Sequence, residues 1–231
     1  MQEGYPCLPC NRLLLHVRDI DDFAAFDFHA ASVAGVDIDP NLVAQAEKLL
    51  ALRASRVRPP TKASQRCVDY FPISAVLSHG YRIEPQSEAS RPASASALSH
   101  WPPVTFFSAD WLVTTNRETL GPYDIILALS VIKWIHLEHL DQGLRDFFAK
   151  CSSSLKPGGH LVIELQKWDS YQKAIRPHTA PHFGQSLKTL RYRPETSFDE
   201  LLANEGLTLC ASSSALPRQM NVYRKSQAHS T

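Results

Sequence analysis

The run Tyr123-Asp124-Ile125-Ile126-Leu127-Ala128-Leu129 most constrains what this chain can fold into. It reads as a buried strand, and it leads directly into Ser130-Val131-Ile132-Lys133-Trp134-Ile135-His136. In an open α/β sheet, ligands bind outside the carboxyl ends of the strands. A strand that delivers a hydroxyl, a cation, an indole and an imidazole to that edge is placed to make a site. A core strand followed by an ordinary amphipathic helix has the same outline, so the rest of the chain has to decide. A second buried run, His160-Leu161-Val162-Ile163-Glu164-Leu165, ends in Gln166-Lys167-Trp168-Asp169-Ser170-Tyr171. It brings polar and aromatic groups to the same edge.

With 231 residues and 44% hydrophobic side chains, the chain is expected to form one domain (residues 1–231) with a buried core. The formal net charge of +1 does not by itself point to nucleic acid. The distribution does more. Between His160 and Arg193, six bases face only Glu164 and Asp169, and no acid follows Glu205. A basic C-terminal half suits an anionic substrate. The five cysteines are odd in number and irregular in spacing, which points to a reducing intracellular compartment rather than secretion. No run reaches the roughly 18 apolar residues of a membrane span, and no signal peptide is expected. Neither a membrane nor a metal is expected as a partner.

Along the chain, Leu13–Val17 predicts a short strand, after which Asp19, Asp21 and Asp22 break the apolar run, so the first βα unit is irregular. Val33–Asp37 predicts a second strand. Asp39 suits an N-cap and Pro40 the first helical turn, and Leu42, Val43, Ala46, Leu49 and Leu50 follow at helical spacing. Residues 53–66 read as a basic loop. Residues 78–103, rich in Ser, Ala and Pro, read as a disordered insertion. Val104–Phe107 predicts a strand ending near Asp110 and Trp111. Asp141–Leu155 predicts a helix, Lys156-Pro157-Gly158-Gly159 a stop and turn, and Ser197–Glu205 a helix ended by Gly206. Leu207–Cys210 and Asn221–Tyr223 suit a closing antiparallel pair.

This order resembles class I S-adenosylmethionine-dependent methyltransferases: an α/β, Rossmann-like sheet with helices on both faces. Two stretches narrow the resemblance. Leu127-Ala128-Leu129-Ser130-Val131-Ile132-Lys133-Trp134-Ile135-His136-Leu137, followed by Asp141-Gln142-Gly143-Leu144, resembles the signature of the Bin3 family of methylphosphate capping enzymes. Glu164-Leu165-Gln166-Lys167-Trp168-Asp169-Ser170-Tyr171 is similar to that family's second motif, with Leu165 and Lys167 in place of prolines.

The resemblance implies methyl transfer from S-adenosylmethionine to an oxygen of the 5′-phosphate of a small RNA such as an snRNA. It makes Lys133 and His136 the catalytic pair that grips and directs phosphate oxygens. For the cofactor it implies Asp37 on the ribose, Ile38 and Trp111 against the adenine, Asp110 on its amine, and Leu129 and Ser130 alongside. Trp134, Glu164, Gln166, Trp168, Tyr171 and Lys173 would face the RNA. An RNA-binding protein partner and a nuclear or cytoplasmic location are also implied. The chain departs from the family where a Gly-rich cofactor loop is expected. That place falls at Val17–Phe23, and no glycine stands between Gly4 and Gly35. The second reading is therefore a catalytically impaired RNA-binding protein of the same fold, and a third is a methyltransferase acting on a protein or small molecule.

Overall fold

The computed structural model describes residues 12–16, 30–58, 68–69, 71–81, 103–175, 180–213 and 218–227. The chain, read from its sequence as one domain, divides into two compact units, Met1–Asp110 and Trp111–Thr231.

The first unit carries parallel strands β1 (Arg12–His16), β2 (Ser32–Asp37) and β5 (Val104–Ser108), with β2 between the other two. Helix α1 (Pro40–Arg56) follows β2. It starts where expected: Asp39 accepts from the Asn41 amide at 2.9 Å, and Pro40 occupies the first turn, where its missing N–H costs nothing. Val43 and Ala46 of α1 bury against Phe106 of β5. The expected loop from residue 53 does not begin there. The helix runs to Arg56 because Ala54 and Ser55 are buried, and Arg53 and Arg56 in the last turn suit the negative end of the helix dipole. A two-residue antiparallel pair follows, β3 (Val57–Arg58) with β4 (Val68–Asp69), and then a short helix, α2 (Ile73–His79). Ser78 and His79, the first residues of the expected insertion, end that helix; residues 82–102 of it lie outside the described residues.

The second unit holds β6 (Tyr123–Ala128), α3 (Ile132–Ser154), β7 (Leu155–Leu165), α4 (Trp168–Gln172), α5 (Phe183–Thr189), α6 (Pro194–Asn204), β8 (Leu207–Ser213) and β9 (Gln219–Lys225). β6 and β7 run parallel, and β9 lies antiparallel between β7 and β8. Leu144, Phe147, Phe148 and Cys151 of α3 recur at i, i+3, i+4 and i+7 and are buried. Phe148 meets Phe198 of α6 edge to face, with ring centroids 5.3 Å apart.

Two local features depart from the expected pattern. Lys156-Pro157-Gly158-Gly159 does not end an element. It is a bulge within β7: Tyr123 pairs with Leu155, yet Ile125 pairs with His160. Gly158 has φ +77°, and a Cβ on Gly159 would lie 2.9 Å from the Lys156 carbonyl oxygen, so neither position suits a larger residue. Lys156 anchors the bulge with its Nζ 2.9 Å from both carboxylate oxygens of Asp124. The second feature is a break in α3 at Leu140, with φ 59° and ψ −166°. It turns His139 back onto Gly143, where an added Cβ would lie 2.0 Å from the His139 Cβ. Only glycine allows this approach.

Candidate active site

In the first unit, Asp37 ends β2 and is buried, and its Oδ1 accepts from the Asp39 amide at 2.9 Å. That bond fixes the carboxylate at the strand end. Ile38, next along, is 69% exposed, an unusual position for a large apolar residue. On the neighbouring strand Ser108 is the register partner of Asp37, and the Ala109 amide donates to the Asp37 carbonyl at 2.8 Å. Asp110 therefore leaves β5 at the same strand end as Asp37, half-buried. A carboxylate that can accept ribose hydroxyls, followed by an exposed apolar side chain that can cover a base, fits an adenine nucleoside. These residues thus suit S-adenosylmethionine. The glycine-free stretch Val17–Phe23 lies outside the described residues.

Trp111 does not take the role expected of it. In the second unit its Nε1 donates to the Thr119 carbonyl at 3.0 Å, its ring meets Phe147 edge-on at 5.7 Å, and Lys150 Nζ sits 5.3 Å from the ring centroid. The indole packs against α3, so it is already spent on the core.

The second unit gathers the rest at the carboxyl ends of β6 and β7. After Ala128 the chain passes half-buried Leu129 to Ser130, which adopts φ 57°, a left-handed conformation uncommon outside glycine. Such backbone strain clusters at functional sites. Ser130 Oγ donates to Glu164 Oε2 on β7. Arg218, just before β9, donates from Nη1 to Glu164 Oε1 at 2.6 Å and to Ser130 Oγ at 3.0 Å. In the first turn of α3, Lys133 is only 8% exposed. Its Nζ donates to Ser170 Oγ at 2.9 Å and lies 4.5 Å from the Trp134 ring centroid. The two sequence motifs therefore meet through Lys133 and Ser170, and through Ser130 and Glu164.

His136 does not reach a ligand in this arrangement. It has no exposed surface, and both ring nitrogens are engaged: Nε2 with Asp141 Oδ1 at 2.9 Å, Nδ1 with the Tyr171 hydroxyl at 3.4 Å. Desolvation by burial pulls its pKa below the usual imidazole value, against the pull of Asp141. The neutral ring then donates from Nε2 to Asp141 and accepts from Tyr171 at Nδ1. Asp141 also accepts from the amides of Arg191 and Tyr192, at 2.9 and 3.4 Å. Burial would raise the Asp141 carboxyl, but these hydrogen bonds outweigh it and hold the pKa below the usual value. His136 thus belongs to a buried wall that joins α3 to α4 through Tyr171.

Tyr171 belongs to the same wall. It is 1% exposed, burial raises its hydroxyl pKa, and its ring stacks on Trp168 at 5.1 Å, so it cannot stack on a nucleotide here. Half-buried Trp168 also carries the Arg193 guanidinium 3.5 Å from its ring centroid, and its amide donates to Glu195 Oε1 at 2.7 Å. Trp134 is half-buried and packs on Phe183 with centroids 5.9 Å apart. Lys173 is exposed at the end of α4. Gln166 is half-buried, and its Oε1 is a buried acceptor that has no hydrogen-bond partner among the described residues. Ser170, Asp141 and Arg218 carry roles that sequence reasoning did not assign. Asp141 stands five residues after His136, a spacing that an unbroken helix would not bring together. Arg218 is 88 residues from Ser130, with no local signal.

Among the described residues there is no cluster of three His, Cys, Asp or Glu able to hold a metal ion, and no helix long and apolar enough to cross a membrane.

Residues 123–226 match the Bin3 (Bicoid-interacting protein 3) family. The chain is 30% identical over 239 residues to a probable RNA methyltransferase of Arabidopsis thaliana, covering 96% of this chain and 71% of that protein. It is 32% identical over 162 residues to the 7SK snRNA methylphosphate capping enzyme of Mus musculus, covering 62% of this chain and 24% of that protein. It is 28% identical over 146 residues to the human RNA 5′-monophosphate methyltransferase, covering 55% of this chain and 49% of that protein. The chain thus spans half or less of the last two relatives. Among solved structures, a SAM-dependent methyltransferase from Methanosarcina mazei superposes with TM-score 0.53 at 13% identity, over 98% of this chain and 100% of that one. Human N-acetylserotonin methyltransferase, in complex with SAM, superposes with TM-score 0.51 at 11% identity, over 96% of this chain and 50% of that one. The fold is that of the class I methyltransferases, and the chain belongs to the Bin3 family.

Proposed function

We propose that this protein transfers a methyl group from S-adenosylmethionine to an oxygen of the 5′-phosphate of a small RNA. The observation that carries the reading is the union of the two strand ends in the second unit: Lys133 Nζ bonded to Ser170, and Ser130 bonded to Glu164. It gains support from the curated relatives, which are named for RNA methylation and methylphosphate capping. The cofactor supplies an electrophilic methyl group on a sulfonium centre. Asp37 would hold its ribose, with Ile38 on the adenine and Asp110 at its amine.

A phosphate oxygen is anionic at neutral pH, so no strong general base is required, and positioning carries the rate. Lys133, fixed by Ser170 and by the ring of Trp134, directs a phosphate oxygen through a charge-assisted hydrogen bond. His136 and Tyr171 hold the helix that carries Lys133. Half-buried Gln166 stands beside this pair at the end of β7, and exposed Lys173 adds backbone contact. The same reading puts the protein with RNA in the nucleus or cytoplasm, where a companion RNA-binding protein can present the 5′ end.

The test is methyl transfer to a 5′-phosphorylated RNA against the same RNA with a 5′-hydroxyl. Transfer is expected to the first alone, and equal transfer to both would overturn the phosphate assignment. Calorimetry with S-adenosylhomocysteine separates the enzyme from a non-catalytic RNA-binding protein. The enzyme reading expects saturable heat, reduced by Asp37→Asn, and it fails if no heat appears at high protein concentration.

A further inference from the structure

Arg218 is the one strongly exposed member of a cluster that is otherwise largely buried. Its side chain is 57% exposed, whereas that of Glu164, which it meets, is 10% exposed. Arginine has five N–H donors in a rigid fork. Nη1 is engaged by Glu164 Oε1 at 2.6 Å and by Ser130 Oγ at 3.0 Å. Among the described residues, Nε and Nη2 make no hydrogen bond. The residue stands just before Gln219, which pairs with Leu165 at the carboxyl end of β7. This is the edge at which Ser130 and Lys133 leave β6.

The carboxylate at this edge poses an electrostatic problem for any anionic ligand. Glu164 would repel a phosphate approaching Lys133, and burial strengthens the repulsion. Arg218 offsets that charge with one nitrogen and keeps the outer side of its fork toward solvent. Glu164 and Ser130 in turn fix the guanidinium, so little side-chain freedom remains to be lost when a ligand binds. The strained backbone of Ser130 is the cost of aiming its hydroxyl into this pair.

We propose that Arg218 is a specificity-determining residue that binds a non-bridging oxygen of the terminal phosphate through its outer N–H groups, opposite the oxygen directed by Lys133. The proposal rests on the reading of the substrate as a 5′-phosphorylated RNA. It assigns discrimination between phosphate and hydroxyl ends to a residue outside both sequence motifs.

The test measures binding of matched 5′-phosphate and 5′-hydroxyl RNAs to the wild-type protein, Arg218→Gln, Glu164→Gln and the double variant. Arg218→Gln is expected to weaken 5′-phosphate RNA about tenfold or more, the loss of one charged hydrogen bond. It is expected to leave 5′-hydroxyl RNA within about twofold. The double variant should stay as weak as Arg218→Gln. Recovery of wild-type affinity in the double variant would reduce Arg218 to a neutraliser of Glu164 and overturn the proposal. An equal loss on both RNAs would do the same, by making it a general backbone contact. A wild-type protein with no preference between the two RNAs would instead overturn the underlying substrate reading. Thermal unfolding of each variant identifies any loss that comes from misfolding.

Discussion

His136 Nε2 lies 2.9 Å from Asp141 Oδ1 across the break that Leu140 makes in α3. In a continuous helix, residues five apart point about 140° away from one another. The break is what joins them, and through Asp141 it ties α3 to the backbone of Arg191 and Tyr192.

This pair predicts how stability depends on pH. The folded-state pKa of His136 is depressed by burial, so in the interval below the unfolded value of 6.5 the unfolded chain binds the extra proton. The stabilisation is complete above pH 6.5 and is lost as pH falls through the folded pKa. Asp141 acts with the same sign, below 3.8. His160, also depressed by burial, adds to the trend. The urea midpoint should fall between pH 8 and pH 5, and His136→Gln should flatten that fall while lowering the midpoint at pH 8. A variant whose profile runs parallel to wild type would rule out His136 as the titrating group.

Lys133→Met keeps the packed stem and removes the charge. It should weaken capture of 5′-phosphorylated RNA by about 10- to 100-fold. It should also reduce the slope of log affinity against log salt by about 0.7. The thermal midpoint should change little. An unchanged salt slope would show that Lys133 meets no phosphate.

Gly143→Ala offers a test with an inverted sign. In an ordinary helix interior, alanine is favoured over glycine by about 1 kcal/mol. Here the new methyl would strike His139, so destabilisation of about 1–3 kcal/mol is expected by chemical denaturation. A more stable variant would mean that the break at Leu140 is absent in solution.

The buried Oε1 of Gln166 has no hydrogen-bond partner among the described residues, an arrangement that costs about 1–3 kcal/mol in a folded protein. Gln166→Met should therefore raise the thermal midpoint or leave it unchanged, and weaken RNA binding. A variant that loses stability and keeps RNA affinity would make the amide a packing group.

Among the described cysteines, Cys151 is fully buried with its thiol pKa raised by desolvation, whereas Cys210 is exposed on β8. Alkylation in the native state followed by peptide mass spectrometry should modify Cys210 and spare Cys151 until the protein is unfolded. Labelling of both at equal rates would show that the core around α3 opens readily.

The sequence is most legible where one local rule dominates. Asp39 and Pro40 announce the start of α1, and the two apolar runs announce β6 and β7 with their polar and aromatic ends. Position at a strand end could be read, but orientation could not. His136 and Tyr171 carry the right chemistry at the right edge, yet both are buried: Asp141, brought close by the break at Leu140, engages His136, and Trp168 stacks on Tyr171. Trp111 looks like a ring cover and packs against Phe147 instead. The turn expected at Lys156–Gly159 is a bulge, because Pro-Gly-Gly marks irregular backbone without saying whether pairing resumes beyond it. Short helices α4 and α5 have too few residues to show a period. Arg218 could not be found from sequence because its partners are 54 and 88 residues away.

Those separations also set an order of assembly. β9, which pairs with β7, follows every other described strand in the chain, so Arg218 leaves the ribosome after Glu164. Lys133 and Ser170 can meet once α4 has emerged, but Glu164 waits for Arg218. Until β9 docks, Glu164 on β7 has the Ser130 hydroxyl but not the Arg218 guanidinium, and the carboxyl end of that strand carries a charge that the finished fold offsets.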